Sequence, residues 1–195
     1  MNIINYTLFP TIVTEVECDL FKYIQGDLIR WIYNYKSKTE SVVYSNRGGW
    51  QSPNDFHNDP SFSEFRNYIV TNANHALCYY NCQFSLDNMW ININKKGDYN
   101  ICHDHPASTM SGVIWIKTPE NCGKLSFRSP HEYVEHSLLK CADEDVKKER
   151  NYRDTFDFMP KEGTMILFAS HLMHWVEMNE SDEDRISIAF NLNIV

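Results

Sequence analysis

From Arg185 to Ile194 the chain alternates without a break. Arg185, Ser187, Ala189, Asn191 and Asn193 fall on one parity, and Ile186, Ile188, Phe190, Leu192 and Ile194 on the other. Successive side chains of a strand point to opposite faces, so this segment predicts a strand with one polar and one apolar face. The apolar face needs cover, and a helical period upstream supplies it. Phe21, Ile24, Leu28, Trp31 and Tyr35 recur at steps of three and four and predict a helix from about Cys18 to Tyr35. Phe62, Phe65, Ile69, Ala73, Ala76 and Tyr80 predict a second helix, which opens after Asp59-Pro60 with Ser61 and Glu64 as a capping box.

From about Leu86 the period shortens to two. Met89, Ile91 and Ile93 alternate with Trp90, Asn92 and Asn94, followed by a turn at Lys96-Gly97-Asp98. Further strands are expected at 111–116, 124–127, 163–168, 172–176 and 185–194, with turns at 119–123 and 179–184 between some of them. Helices followed by many short strands predict a mainly β protein, a sandwich or barrel with N-terminal helices packed on one sheet. We expect one domain over residues 1–195, with helical support over about 1–85 and a β core over about 86–195. A charged segment at about 131–157 interrupts the core and reads as a solvated excursion, or as a lid over a ligand. The loop Ser45-Asn-Arg-Gly-Gly-Trp-Gln-Ser52 reads as a helix connection or as a substrate-facing loop.

Composition narrows the function. The net charge of −8 argues against nucleic acid or an anionic membrane as the main partner, because both require clustered Lys and Arg. No apolar run approaches the length of a membrane span. The N-terminal residues lack the basic and apolar regions of a signal peptide, so a cytoplasmic location is expected. There the six cysteines are expected to be thiols, including Cys78 and Cys82 at helical spacing. Oligomeric state stays open.

Three histidines carry the candidate chemistry. His103 and His105 are two apart, a spacing that puts both on one face of an extended strand, and His174 on a distant strand completes a possible facial metal site. His171 competes with His174, which is preferred because Leu172, His174 and Val176 share a strand face. His57, His75, His131 and His136 read as structural residues. Arg185 offers two parallel hydrogen bonds to a carboxylate, and Ser187, on the same face, can add a third, so the last strand suits a dicarboxylate. Asn92, Trp115 and Asn191 are expected in the walls of the same cavity.

Taken together these residues resemble the 2-oxoglutarate and Fe(II)-dependent dioxygenases. The pattern of that superfamily is a His-x-Asp or His-x-Glu pair, a distal His, and about ten residues later an Arg, often followed two on by Ser. His103, His174, Arg185 and Ser187 match the first ligand, the distal ligand and the co-substrate anchors. A bacterial and phage group of such oxygenases is similar through Gly48-Gly-Trp-Gln-Ser52, Met89-Trp-Ile-Asn92, His103-Asp-His-Pro106, Ser111-Gly-Val-Ile-Trp115 and Arg185-Ile-Ser-Ile-Ala-Phe-Asn191.

The resemblance implies a double-stranded β-helix, a cupin-like jelly roll, buttressed by the two helices. It implies Fe(II) held by His103, His105 and His174, with 2-oxoglutarate and O2 as co-substrates. Arg185 and Ser187, with Asn92 and Asn191, would bind the co-substrate, and succinate and CO2 would leave as an unidentified substrate is hydroxylated.

The departure is residue 105, where the carboxylate is replaced by His. Three neutral imidazoles leave the full dipositive charge on the metal. Asp104 is a secondary candidate ligand. Two other readings stay open, a three-histidine cupin-like dioxygenase that uses no 2-oxoglutarate, and a non-catalytic metal-binding jelly-roll module.

Overall fold

Eleven strands form two antiparallel sheets in a computed structural model that describes residues 10–131, 141–149 and 153–195. In chain order the strands are β1 (Val13–Glu17), β2 (Asn46–Arg47), β3 (Trp50–Gln51), β4 (Phe84–Asn94), β5 (Tyr99–His103), β6 (Met110–Lys117), β7 (Leu125–Arg128), β8 (Thr155–Phe158), β9 (Thr164–Ala169), β10 (His174–Val176) and β11 (Arg185–Ile194). The larger sheet has the order β1-β9-β6-β11-β4-β3 and the smaller β2-β5-β10-β7-β8. The helices are α1 (Phe21–Lys36), α2 (Ser63–Ala76) and the short α3 (Glu144–Glu149). No helix among the described residues is long and apolar enough to cross a membrane.

Strand parity divides the protein into two cores. On the outer face of the larger sheet, Met89, Ile91, Ile93, Ile186, Ile188 and Phe190 join Leu28 and Ile32 of α1 and Ile69 and Ala73 of α2 in one cluster. Burying a large apolar side chain contributes roughly 1.5–3 kcal/mol, so this layer is what holds the helices on the sheet. Between the sheets lies a smaller cluster of Val113, Trp115, Leu125, Phe127, Ile166, Phe168 and Leu172. The polar face of β11 turns inward beside it.

Several local expectations are corrected. Asp59 caps the turn before α2, its Oδ1 accepting from the Ser61 N–H at 2.9 Å and the Ser61 hydroxyl at 2.7 Å, so Ser61 is not the capping residue. The helix ends at Ala76, and Tyr80, Cys78 and Asn81 lie beyond it, with Asn81 in left-handed conformation breaking the chain direction. Five strands were not foreseen, two of them β2 and β3 in the 45–52 loop. β1 precedes the helices, β5 holds His103, and β8 forms an edge of the smaller sheet inside the charged segment. Residues 132–140 and 150–152 of that segment, including His136 and so part of the span read as an excursion or lid, lie outside the described residues.

The 45–52 loop contributes an edge strand to each sheet, β2 to the smaller and β3 to the larger. Gly48 and Gly49 make the crossing at φ +69° and +70°, a region open to glycine, and a Cβ on Gly48 would meet Asp98 Oδ1 at 2.0 Å.

Candidate active site

Two sheets bring the histidines together. His174 of β10 pairs directly with His103 of β5, while two residues further along Val176 pairs with Asn100. Between those pairs β5 carries Ile101 and Cys102 against Trp175 alone, which is a one-residue bulge. The extra residue reverses the parity of β5, so Asn100 and His103 both face the cavity. His105 lies past the end of β5, in a loop tied across to the other sheet by its N–H donating to the Ser170 carbonyl at 2.8 Å. The shared strand face expected for His103 and His105 is therefore replaced by a bulge and a loop.

The ligand atoms of His103, His105 and His174 lie within 4.8 Å of one another and could hold a metal ion. Ring centroids are 4.3 Å apart for His103 and His174 and 5.1 Å for the other two pairs. In each ring Nδ1 is already engaged. It meets the Ile101 carbonyl at 2.7 Å in His103 and the Leu172 carbonyl at 2.8 Å in His174, and a carbonyl can only accept. In His105 it meets Asn191 Oδ1 and Ser111 Oγ, both at 2.8 Å. Nε2 is thus left as the free lone pair on His103 and His174.

Burial keeps these imidazoles neutral, the form that binds metal. Desolvation, with the neighbouring His103 adding to it, pushes His174 down to about 3 and His105 down to about 4. Burial lowers His103 as well. Asp104 is exposed and lies outside the three-histidine group, as does His171. His57, His75 and His131 are outside it too.

Arg185 lines the same cavity at 1% exposure. One turn that the sequence marked, 119–123, and the residue that follows β10 deliver backbone carbonyls to it, since Nη1 donates to Cys122 O and, at 2.9 Å, to Glu177 O. Nε and Nη2 are buried with no partner. Burial lowers the guanidinium to about 10, which leaves it charged at neutral pH. A buried cation with two unmet donors on one edge is costly unless an anion meets it, and that edge matches a carboxylate.

The register of β11 orders the rest of the wall. Arg185 is opposite Asn94, Ser187 opposite Asn92, and Ala189 opposite Trp90 on β4. Ser187 and Asn92 line the cavity one step from Arg185, and Asn92 Oδ1 is buried without a partner. Trp115 is opposite Ser187 on β6 but packs in the core between the sheets. Asn191 is placed differently from the expectation, with its amide spent on His105, Ser111 and Asn88. Trp90, whose ring is 5.4 Å from that of His105, was missed, although the alternation of β4 puts it on the inner face with Asn92.

Residues 88–191, more than half of the chain, match the family model described as "Putative 2OG-Fe(II) oxygenase". The chain belongs to this family of 2-oxoglutarate and Fe(II)-dependent oxygenases. It is an oxidoreductase whose cofactor is Fe(II) and whose co-substrates are 2-oxoglutarate and O2. Comparison with curated protein sequences found no match.

Solved structures share the jelly-roll fold. The viral collagen prolyl hydroxylase of Paramecium Bursaria Chlorella virus-1 is 16% identical with a TM-score of 0.61, over 94% of this chain and 96% of that one. A prolyl-4-hydroxylase from Pseudomonas putida is 11% identical with a TM-score of 0.61, over 94% and 92%. HygX from Streptomyces hygroscopicus, with nickel and 2-oxoglutarate bound, is 10% identical with a TM-score of 0.64, over 94% and 82%. At these identities the likeness is one of fold.

Proposed function

We propose that this oxygenase holds Fe(II) through His103, His105 and His174 and anchors 2-oxoglutarate through Arg185, and that it hydroxylates a C–H bond of an organic substrate. The observation that carries this reading is the unpaired Nε and Nη2 edge of buried Arg185, in one cavity with three neutral imidazoles. The residues fit the groups. Three imidazole nitrogens suit a borderline divalent metal, and the guanidinium edge suits a carboxylate.

Bound Fe(II) supplies O2 activation coupled to oxidative decarboxylation of 2-oxoglutarate to succinate and CO2. Each residue of the chain has a distinct task around it. Carbonyl acceptors at Ile101 and Leu172 hold His103 and His174 in the tautomer that presents Nε2. Cys122 and Glu177 hold Arg185 by Nη1, which leaves Nε and Nη2 free to meet the distal carboxylate of the co-substrate when it binds. Ser187 and Asn92, one row along the sheet and lining the same cavity, would add hydrogen bonds to the same molecule. Phe168 and Leu125 supply apolar surface to the cavity wall.

The single-domain reading is kept, since helices and sheet share one core cluster. A reducing, cytoplasmic location remains part of the proposal, and the six free thiols accord with it.

The test is anaerobic Fe(II) loading followed by 2-oxoglutarate titration and an assay for succinate. His174→Ala is expected to lose the metal, and Arg185→Ala to keep the metal and lose 2-oxoglutarate binding. Unchanged metal affinity in the first variant, or unchanged 2-oxoglutarate affinity in the second, removes that residue from the site.

A further inference from the structure

His105 stands where the family pattern has a carboxylate, and a different side chain than expected attends to it. We infer that Asn191 is the positioning residue of His105, the last link of a directed hydrogen-bond chain that starts at the Asp87 carboxylate. The inference rests on the reading of His105 as a metal ligand.

The direction of the chain follows from its anionic end. A carboxylate only accepts, so the partner of Asp87 Oδ2 at 2.7 Å must be the amide nitrogen of Asn88. That choice turns Asn88 Oδ1 toward Asn191, whose Nδ2 donates to it at 2.9 Å. Asn191 Oδ1 then faces His105 Nδ1 at 2.8 Å, and an amide oxygen only accepts. His105 Nδ1 therefore carries the proton, and Nε2 is left with its lone pair toward His103 and His174. Reversing any one amide would set two acceptors, or two donors, face to face.

The sheet holds the links in place. Asn88, Asn191 and Ser111 are direct cross-strand neighbours on β4, β11 and β6. Ser111 Oγ donates to the same Asn191 oxygen at 2.7 Å and meets Ser170 Oγ at 2.8 Å, which closes the network on the side away from Asn88. These side chains stand on the central strands of the larger sheet, and only Asp87 at the far end is exposed. Hydrogen bonds in such a chain polarise one another, so the ring gains donor strength at Nε2. A ligand set without a carboxylate thus has a carboxylate at the far end of a hydrogen-bond wire.

Cobalt(II) affinity, 2-oxoglutarate affinity of the cobalt-saturated protein, and ¹⁵N spectra of histidine-labelled metal-free protein test this. Asn191→Leu, which keeps the bulk and removes the acceptor, is expected to weaken cobalt binding about 10–100-fold and to leave 2-oxoglutarate affinity at metal saturation unchanged. Asn191→Asp restores an acceptor and is expected to recover most of the cobalt affinity. In the wild-type spectrum His105 is expected with Nδ1 protonated and Nε2 bare, a readout that needs no variant to fold. His105→Ala separates the two readings. If it binds cobalt as tightly as wild type, the ligand reading fails. If it loses cobalt while Asn191→Leu matches wild type, or His105 carries its proton on Nε2, the role of Asn191 alone is overturned.

Discussion

His174 sits directly opposite His103 across the β10–β5 ladder, with ring centroids 4.3 Å apart. Neither ring can shift without its strand, because each Nδ1 is tied to a carbonyl two residues earlier in its own chain. As the proposed ligands, such a preformed pair would bind metal in the folded state and not in the unfolded one. Metal at about a hundred times its dissociation constant is therefore expected to raise the unfolding free energy by about 2.7 kcal/mol. Thermal melts with and without Ni(II) check this, and His174→Ala should abolish the increment. An increment that survives in His174→Ala would place the metal elsewhere.

Arg185 separates binding from stability. Replacing it by Met keeps an unbranched chain in the buried slot and removes a desolvated cation with two unmet donors. The ligand-free protein is expected to be no less stable in chemical denaturation, since an uncompensated buried charge does not favour folding. The affinity for 2-oxoglutarate is expected to fall by about 2–5 kcal/mol, measured by calorimetry on metal-loaded protein. A large stability loss with intact 2-oxoglutarate binding would make Arg185 a structural residue that ties down the Cys122 and Glu177 carbonyls.

Gly112 on β6 has no room for a side chain. A Cβ there would lie 2.3 Å from Phe190 Cζ and 2.8 Å from Leu167 Cδ2, both on neighbouring strands. Gly112→Ala is expected to destabilise by about 1–3 kcal/mol through overpacking, read from denaturant midpoints. Wild-type stability in this variant would mean that the Phe190 ring yields without cost.

Ile69 tests whether helix and site are separable. It is fully buried where α2 meets the outer face of the larger sheet, on the opposite side from the histidines. Ile69→Ala is expected to cost about 2–5 kcal/mol of stability with unchanged cobalt affinity. A matching loss of metal affinity would show that the outer core tunes the cavity through β4 and β11.

The legible parts of this protein are those where one strand or helix writes its own environment. β11 alternates over ten residues, and both faces go where that alternation directs them, Ile188 and Phe190 to the helices, Arg185 and Ser187 to the cavity. The helix α1 was legible for the same reason, since an amphipathic stripe needs no distant partner to be recognised. Five strands were not legible, and of these β2 and β3 are two-residue edge pieces too short to show a period. β1 and β8 are edge strands with too few apolar positions to set a period, and β5 breaks its own period at the Ile101–Cys102 bulge. The residue types of the site could be read off, but the means by which His105 is held could not. Ser170 lies 59 positions from the Ser111 hydroxyl it touches, and nothing local marks it.

The sequence by itself singled out His103, His105, His174 and Arg185 as the candidate site, and it determined that a polar strand face would line a cavity behind an apolar, helix-covered face. Side-chain parity is a local property, so alternation along ten residues suffices to state it. Only the tertiary structure decided how His103 and His105 meet His174, and that Asn191 serves a histidine and not the cavity wall. Both depend on register between strands far apart in the chain. A one-residue bulge in β5 reverses which side chains face inward, and the pairing of β4, β11 and β6 sets Asn88, Asn191 and Ser111 side by side.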